Sequence, residues 1–115
     1  MRKTGKIDYV ELPGGDLAST KTFYSEAFDW KFVDYGPSYT AFEDAGLDGG
    51  FQADSKEAPA KPLVILYSED LEATLARVEA AGGEITVPIF SFPGGRRFHF
   101  RDPAGNELAV WSDRA

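Results

Sequence analysis

The chain has no cysteine among its 115 residues, which excludes disulfides, thiolate metal sites and a cysteine nucleophile together. It has a single histidine, whereas a catalytic divalent metal needs about three nitrogen or oxygen side chains from the protein. Long apolar runs are missing as well. Nothing approaches the roughly 18 residues of a membrane span, and the basic start Met1-Arg2-Lys3-Thr4-Gly5-Lys6 lacks the apolar stretch of a signal peptide. These absences predict a cytoplasmic protein. Positive charge is scarce, with 12 Lys and Arg against 19 Asp and Glu, a net charge of −7 and a pI near 4.6. The adjacent basic pairs are Arg2-Lys3 and Arg96-Arg97, too little for a basic patch, so neither nucleic acid nor an anionic membrane is expected as a partner.

What is present fits one domain spanning 1–115. Hydrophobic residues make up 43%, enough for a core. A domain of this size buries a modest fraction of its surface, so dimerisation would help it.

The pattern divides into two similar halves, about 6–52 and 62–112, with a polar linker over 53–61 that contains Pro59. In the first, Ile7 to Leu12 alternates as a strand and Pro13-Gly14-Gly15 turns. Asp16 is placed to accept the free N–H groups of a helix from Leu17 to about Phe28. Thr20, Tyr24, Ala27 and Phe28 are predicted on one side of that helix. Strands follow over 30–35, 38–43 and 49–52. In the second half, Leu63 to Tyr67 is a strand. Asp70 caps a helix striped by Leu71, Leu75 and Val78, and Gly82-Gly83 ends it. Strands over 84–87, 96–101 and 107–111 follow, the last two joined by the turn Asp102-Pro103-Ala104-Gly105-Asn106. Pro88 to Gly95 reads as a loop, either pinned to the core by Phe90 and Phe92 or mobile as a lid. Asp44 to Gly50 is its counterpart. The halves align without a gap, with 39–51 against 97–109.

Strand side chains alternate between faces. Phe98 and Phe100 share a face, leaving Arg97, His99 and Arg101 on the other. Leu108 and Val110 oppose Glu107, Ala109 and Trp111. Val10 and Leu12 oppose Tyr9 and Glu11. Each strand thus has one apolar face for the helices to cover. The opposite face collects Tyr9, Glu11, Tyr39, Arg97, His99 and Trp111, a mixture suited to a lined cleft and also to a subunit interface.

These elements resemble the vicinal-oxygen-chelate superfamily of glyoxalases, bleomycin resistance proteins and dioxygenases. The resemblance rests on Ile-Asp-Tyr-Val-Glu-Leu over 7–12 followed by Asp16-Leu17 and Phe23-Tyr24. It rests also on Glu69-Asp70-Leu71, on Ala80-Ala81-Gly82-Gly83, and on the turn over 102–106, in this order and at these separations. It implies an α+β fold of two tandem βαβββ modules whose curved, partly open sheet surrounds a cleft, and a homodimer. It also implies metal-ligand positions at Tyr9, near Leu63 and at Ala109, with Phe51 equivalent to Ala109 in the first half. None of these is a ligand set. Glu11 and His99 together make two donors, and Glu107, two residues before Ala109, restores at most a carboxylate. No metal and no cofactor are therefore expected.

The expected ligand-binding residues are Tyr9, Glu11, Tyr39 and Phe51 from the first half. From the second they are Arg97, His99, Ala109 and Trp111. The resemblance implies that Arg97 and His99 hold a polar or anionic group, and Arg97 suits a bidentate contact. His99 alone has an ordinary pKa near neutrality. The leading expectation is a metal-free small-molecule binding protein. The alternatives are a glyoxalase-like lyase or isomerase using Glu11 and His99 as acid and base, or a metal-dependent glyoxalase or dioxygenase with displaced ligands.

Overall fold

The structure, a computed structural model, describes residues 2–114; Met1 of the basic start lies outside them. Its elements run β1 (Ile7–Pro13), α1 (Leu17–Phe28), β2 (Lys31–Asp34), β3 (Tyr39–Glu43), β4 (Gly49–Gln52), β5 (Leu63–Tyr67), α2 (Leu71–Ala80), β6 (Glu84–Phe92), β7 (Gly95–Arg101) and β8 (Glu107–Ser112). The fold is α+β, with the order βαβββ occurring twice. No helix among the described residues is long and apolar enough to cross a membrane.

Contacts group the described residues into two compact units, 9–63 and 2–8 with 64–114. The first residues join the second βαβββ set through backbone hydrogen bonds. Gly5 N donates to the Tyr67 carbonyl at 2.8 Å, and Tyr67 N donates to that of Lys6 at 3.1 Å.

In the unit 9–63, β1 lies parallel to β4, which is antiparallel to β3, itself antiparallel to β2. Asp16 sits at the N-cap of α1 with extended backbone, but its carboxylate accepts the Ser19 hydroxyl at 2.6 Å and no backbone N–H. The expected backbone cap is therefore corrected to a side-chain one. Thr20 Oγ1 donates to the Gly14 carbonyl at 2.7 Å, tying the helix to the preceding turn. Tyr24 faces the sheet as predicted, with its ring 5.3 Å from that of Phe51. Phe28 does not; it is 60% exposed. The chain reverses at Asp29 in the left-handed region, φ 61°, and brings Trp30 under Tyr24, stacked at 4.7 Å. Trp30 then meets Phe42, also at 4.7 Å. Trp30 so fills the place predicted for Phe28.

In the other unit the order is β5-β8-β7-β6, with β5 parallel to β8 and the remaining pairs antiparallel. Asp70 Oδ1 accepts Ala73 N at 3.1 Å, the expected cap of α2. The helix ends as predicted at Gly82, φ 99°, a conformation that costs glycine little. Leu71, Phe98 and Val110 form the core, with Leu75, Val78, Ile89 and Phe100 packed on it. Removing these apolar surfaces from water is the main stabilising term of the unit.

The segment predicted as a loop or lid from Pro88 to Gly95 is instead the end of a nine-residue strand, a turn and the start of β7. Two register shifts in the β6–β7 ladder, between Ile85 and Val87 and between Val87 and Phe90, absorb the extra residues. Pro88 lies at the second shift on the outermost strand of the unit, where a missing N–H is tolerated. Gly95 allows β7 to begin against β8, since a Cβ there would stand 2.0 Å from the Ser112 carbonyl oxygen.

Candidate functional site

The register sorts the predicted residues of the first unit. Glu11 pairs with Gly50, which pairs with Ala41, so Tyr9, Glu11, Tyr39 and Gly50 share one face. The Tyr9 and Tyr39 hydroxyls are hydrogen-bonded to each other. Gly50 makes room for this pair: a Cβ there would fall 2.3 Å from Tyr39 Oη. Glu11 is buried, 6% exposed. Burial pushes the Tyr9 phenol above its ordinary pKa. The bond from Tyr39 acts against that rise, and the negative charges of Glu11 and Asp48 add to it.

Phe51 lies elsewhere. It pairs with Leu12 and Thr40 on the opposite face. There it is 2% exposed, among the rings of Tyr24, Phe42 and Phe32. The gapless alignment of the halves is off by one at its end. Ala41 pairs with Gly50, nine positions on, but His99 pairs with Ala109, ten positions on. The connection from β3 to β4 is thus one residue shorter than that from β7 to β8. A one-residue slip reverses the face of every side chain beyond it. Gly50, not Phe51, is the counterpart of Ala109.

In the second unit, Arg97 pairs with Trp111 across β7 and β8, and His99 with Ala109. Ala109 is fully buried, pairing on its other side with Ile65. The Arg97 guanidinium carbon lies 5.4 Å over the Phe90 ring and 5.7 Å over that of Phe92. These are cation–π contacts, and they correct the expectation that the two phenylalanines pin a loop to the core. Phe92 also approaches Trp111, at 6.4 Å between centroids. Trp111 is held from the chain start: its Nε1 donates to Asp8 Oδ2 at 2.9 Å, and Arg2 lies 5.1 Å over its ring.

His99 Nδ1 lies 3.3 Å from Glu107 Oε2, which also accepts the Thr86 hydroxyl at 3.0 Å. His99 Nε2 is buried and has no hydrogen-bond partner among the described residues. Burial and the neighbouring Arg97 charge push the imidazole pKa down, against the opposing pull of Glu107. The ring is therefore neutral at physiological pH. The Nδ1–H directed to the carboxylate leaves Nε2 as the lone-pair atom. Alternation put Glu107 on this face, but not its diagonal reach to His99. Phe90 and Phe92 join this face because β6 continues through the segment whose prolines and glycines predict a loop.

The donor chemistry does not fit the metal that the fold resemblance implies. Tyr9 is bonded to Tyr39, while Leu63 and Ala109 carry no donor. The described residues contain no cluster of three His, Cys, Asp or Glu able to hold an ion. Glu107 is a carboxylate two residues from the resembled position, and its Oε2 is taken by His99 and Thr86. A separate surface depression of about 440 Å³ lies by the β6–β7 turn, lined by Ser91, Gly94, Gly95, Arg96, Asp113 and Arg114. No predicted site residue lines it.

A family model described as the Glyoxalase/Bleomycin resistance protein/Dioxygenase superfamily matches residues 6–110. An anthracycline biosynthesis protein, DnrV of Streptomyces peucetius, is 31% identical over 93% of this chain and 46% of its own length. The chain thus spans about half the length of that relative. A glyoxylase-like domain-containing protein of Didymella fabae is 28% identical over 92% of each chain. A solved glyoxalase/bleomycin resistance protein/dioxygenase superfamily member from Vibrio splendidus shares the fold, with a TM-score of 0.68 at 14% identity over 93% of this chain and 97% of its own.

Proposed function

This chain belongs to the glyoxalase/bleomycin resistance protein/dioxygenase superfamily, and from that premise we propose that it is a metal-free small-molecule binding protein. The observation that carries the reading is the aromatic bed on β6 to β8. Phe90 and Phe92 flank the Arg97 guanidinium, Trp111 stands beside Phe92, and His99 lies next to Phe90, 6.0 Å between ring centroids. Few convergent polar groups set among aromatic rings are what a small organic ligand requires. Arg97 and His99 are the polar contacts of this bed, suited to a ligand with an aromatic body and an anionic or hydrogen-bonding substituent. Of the other expected ligand residues, Tyr9, Glu11 and Tyr39 stay proposed on the face they share in their own unit, whereas the packing of Phe51 and Ala109 gives them a structural task. A homodimer and a cytoplasmic location complete the reading.

A thermal-shift panel of aromatic carboxylates, their neutral amides and anthracyclines tests it. The relative named for anthracycline biosynthesis puts the last class in the panel. Saturable stabilisation by a panel member, weakened in Arg97→Ala, is the expected result. Elemental mass spectrometry of protein purified without a chelating tag should find a small fraction of an ion per chain. Close to one ion per chain would sink the reading.

The His99–Glu107 contact favours one second reading, a metal-independent lyase or isomerase with His99 as acid/base. A carboxylate on Nδ1 with a lone pair at Nε2 is the arrangement of a general base. Turnover that survives chelation and is lost in His99→Ala would establish it over simple binding.

A further inference from the structure

One guanidinium of this chain already sits on an aromatic face that the family match does not cover. Arg2 lies before the matched residues 6–110 and Trp111 just after them. The Arg2 guanidinium carbon stands 5.1 Å over the Trp111 ring, and Arg2 Nε donates to Asp8 Oδ2 at 3.1 Å. The Trp111 indole N–H donates to that same carboxylate oxygen at 2.9 Å. A ring face with a carboxylate beside it attracts a cation twice, through the ring quadrupole and through charge. The Asp113 carboxyl adds a second negative charge. It is held below its ordinary pKa, chiefly by the Tyr67 hydroxyl, with the Arg114 and Arg2 charges contributing.

The platform is built without Arg2. Asp8 fixes the indole through its own bond, and the Tyr67 ring meets that of Trp111 at 5.5 Å. The chain is anchored further along, where Thr4 Oγ1 accepts Glu69 N at 2.9 Å and Gly5 N donates to the Tyr67 carbonyl at 2.8 Å. Arg2 lies beyond that anchor, its side chain 46% exposed against 17% for Asp8. An ion pair open to water contributes little, so the guanidinium leaves easily, whereas the half-buried carboxylate and ring stay in place. A preformed site loses little freedom when a new cation arrives. The net charge of −7 draws cations toward the protein.

We propose that Asp8 and Trp111 form a binding site for a small organic cation, a guanidinium or primary ammonium on an alkyl or aryl stem, and that Arg2 is its resident occupant and internal competitor. The site goes beyond the small-molecule reading above. It needs neither Arg97 nor His99, and each can fail without the other.

Butylguanidinium, which reproduces the arginine head and stem, and butylurea, its neutral counterpart of similar shape, test it against the full chain. The chain has two tryptophans, so the indole N–H signals in a ¹H–¹⁵N NMR spectrum are those of Trp30 and Trp111, told apart by Trp111→Phe. Arg2→Ala should shift the Trp111 signal and leave that of Trp30 in place. Adding butylguanidinium to Arg2→Ala should move the signal back saturably towards its wild-type position, with no effect of butylurea. In wild type the tethered Arg2 competes at a high effective concentration, so about tenfold more butylguanidinium should be needed. Asp8→Asn in the Arg2→Ala background should weaken binding several-fold and flatten its fall with rising salt. Should a variant not fold, wild type still decides, because at saturation an NOE must join the butylguanidinium methylenes to the Trp111 ring. An unmoved Trp111 signal in Arg2→Ala, equal affinity in wild type and Arg2→Ala, or an equal response to butylurea overturns the proposal. So does the absence of saturable binding to Arg2→Ala, or of that NOE in wild type.

Discussion

His99 Nδ1 sits 3.3 Å from Glu107 Oε2, a diagonal contact between β7 and β8. His99 is the sole histidine of the chain, so its titration is read without assignment. Burial and Arg97 lower its pKa while Glu107 raises it. Glu107→Ala removes the raising partner, and the His99 pKa should fall further. A ¹H–¹⁵N NMR titration of wild type and variant measures this, and an equal or higher value in the variant would show that the contact is not formed in solution.

The same shift makes stability depend on pH. The folded-state pKa lies below the unfolded value of about 6.5, so between the two the unfolded chain binds more protons. Stability is then fully present above about pH 6.5 and is lost as pH falls through the folded pKa. Urea denaturation at pH 7.5 and 5.5 should show lower stability at the acid end, and His99→Gln should flatten that part of the difference.

The two helix caps differ in kind, and substitution separates them. Asp70 accepts a backbone N–H of the first turn of α2, so Asp70→Ala should cost about 1 kcal/mol. Asp16 accepts only the Ser19 hydroxyl at the start of α1. Asp16→Ala should cost measurably less in the same urea titration. Equal losses would mean that Asp16 caps the backbone in solution.

Phe51 distinguishes packing from ligand lining. Inside the ring cluster beneath α1 its replacement by alanine leaves a cavity, and Phe51→Ala should destabilise by about 3–5 kcal/mol. A stable variant with altered ligand affinity would instead return Phe51 to the ligand-facing side.

The donor set predicts indifference to divalent ions. Adding nickel, zinc or manganese should leave the melting temperature unchanged, as should prolonged chelation, because among the described residues no three His, Cys, Asp or Glu side chains are placed to hold an ion. A concentration-dependent rise that vanishes in His99→Ala would identify a site containing that residue.

The sequence by itself determined the α+β class, the repeated βαβββ order, both helix starts and the glycine end of α2. It did so because capping, turn chemistry and short-range alternation are local. Alternation also put Phe98, Phe100 and Val110 on the covered face, and Tyr9, Glu11, Tyr39, Arg97 and His99 on the other. Only the tertiary structure decided what crosses between strands. The connection from β3 to β4 is one residue shorter than its counterpart, and that single residue sends Phe51 into the core and leaves Gly50 under Tyr39. Pro88 and the glycines read as a loop because local rules cannot foresee two register shifts that carry a strand through a proline. The Tyr9–Tyr39 and His99–Glu107 contacts arise likewise from pairing between strands separated in sequence. Strand register is set by turn geometry together with the face that the sheet buries, and alternation read one strand at a time fixes neither.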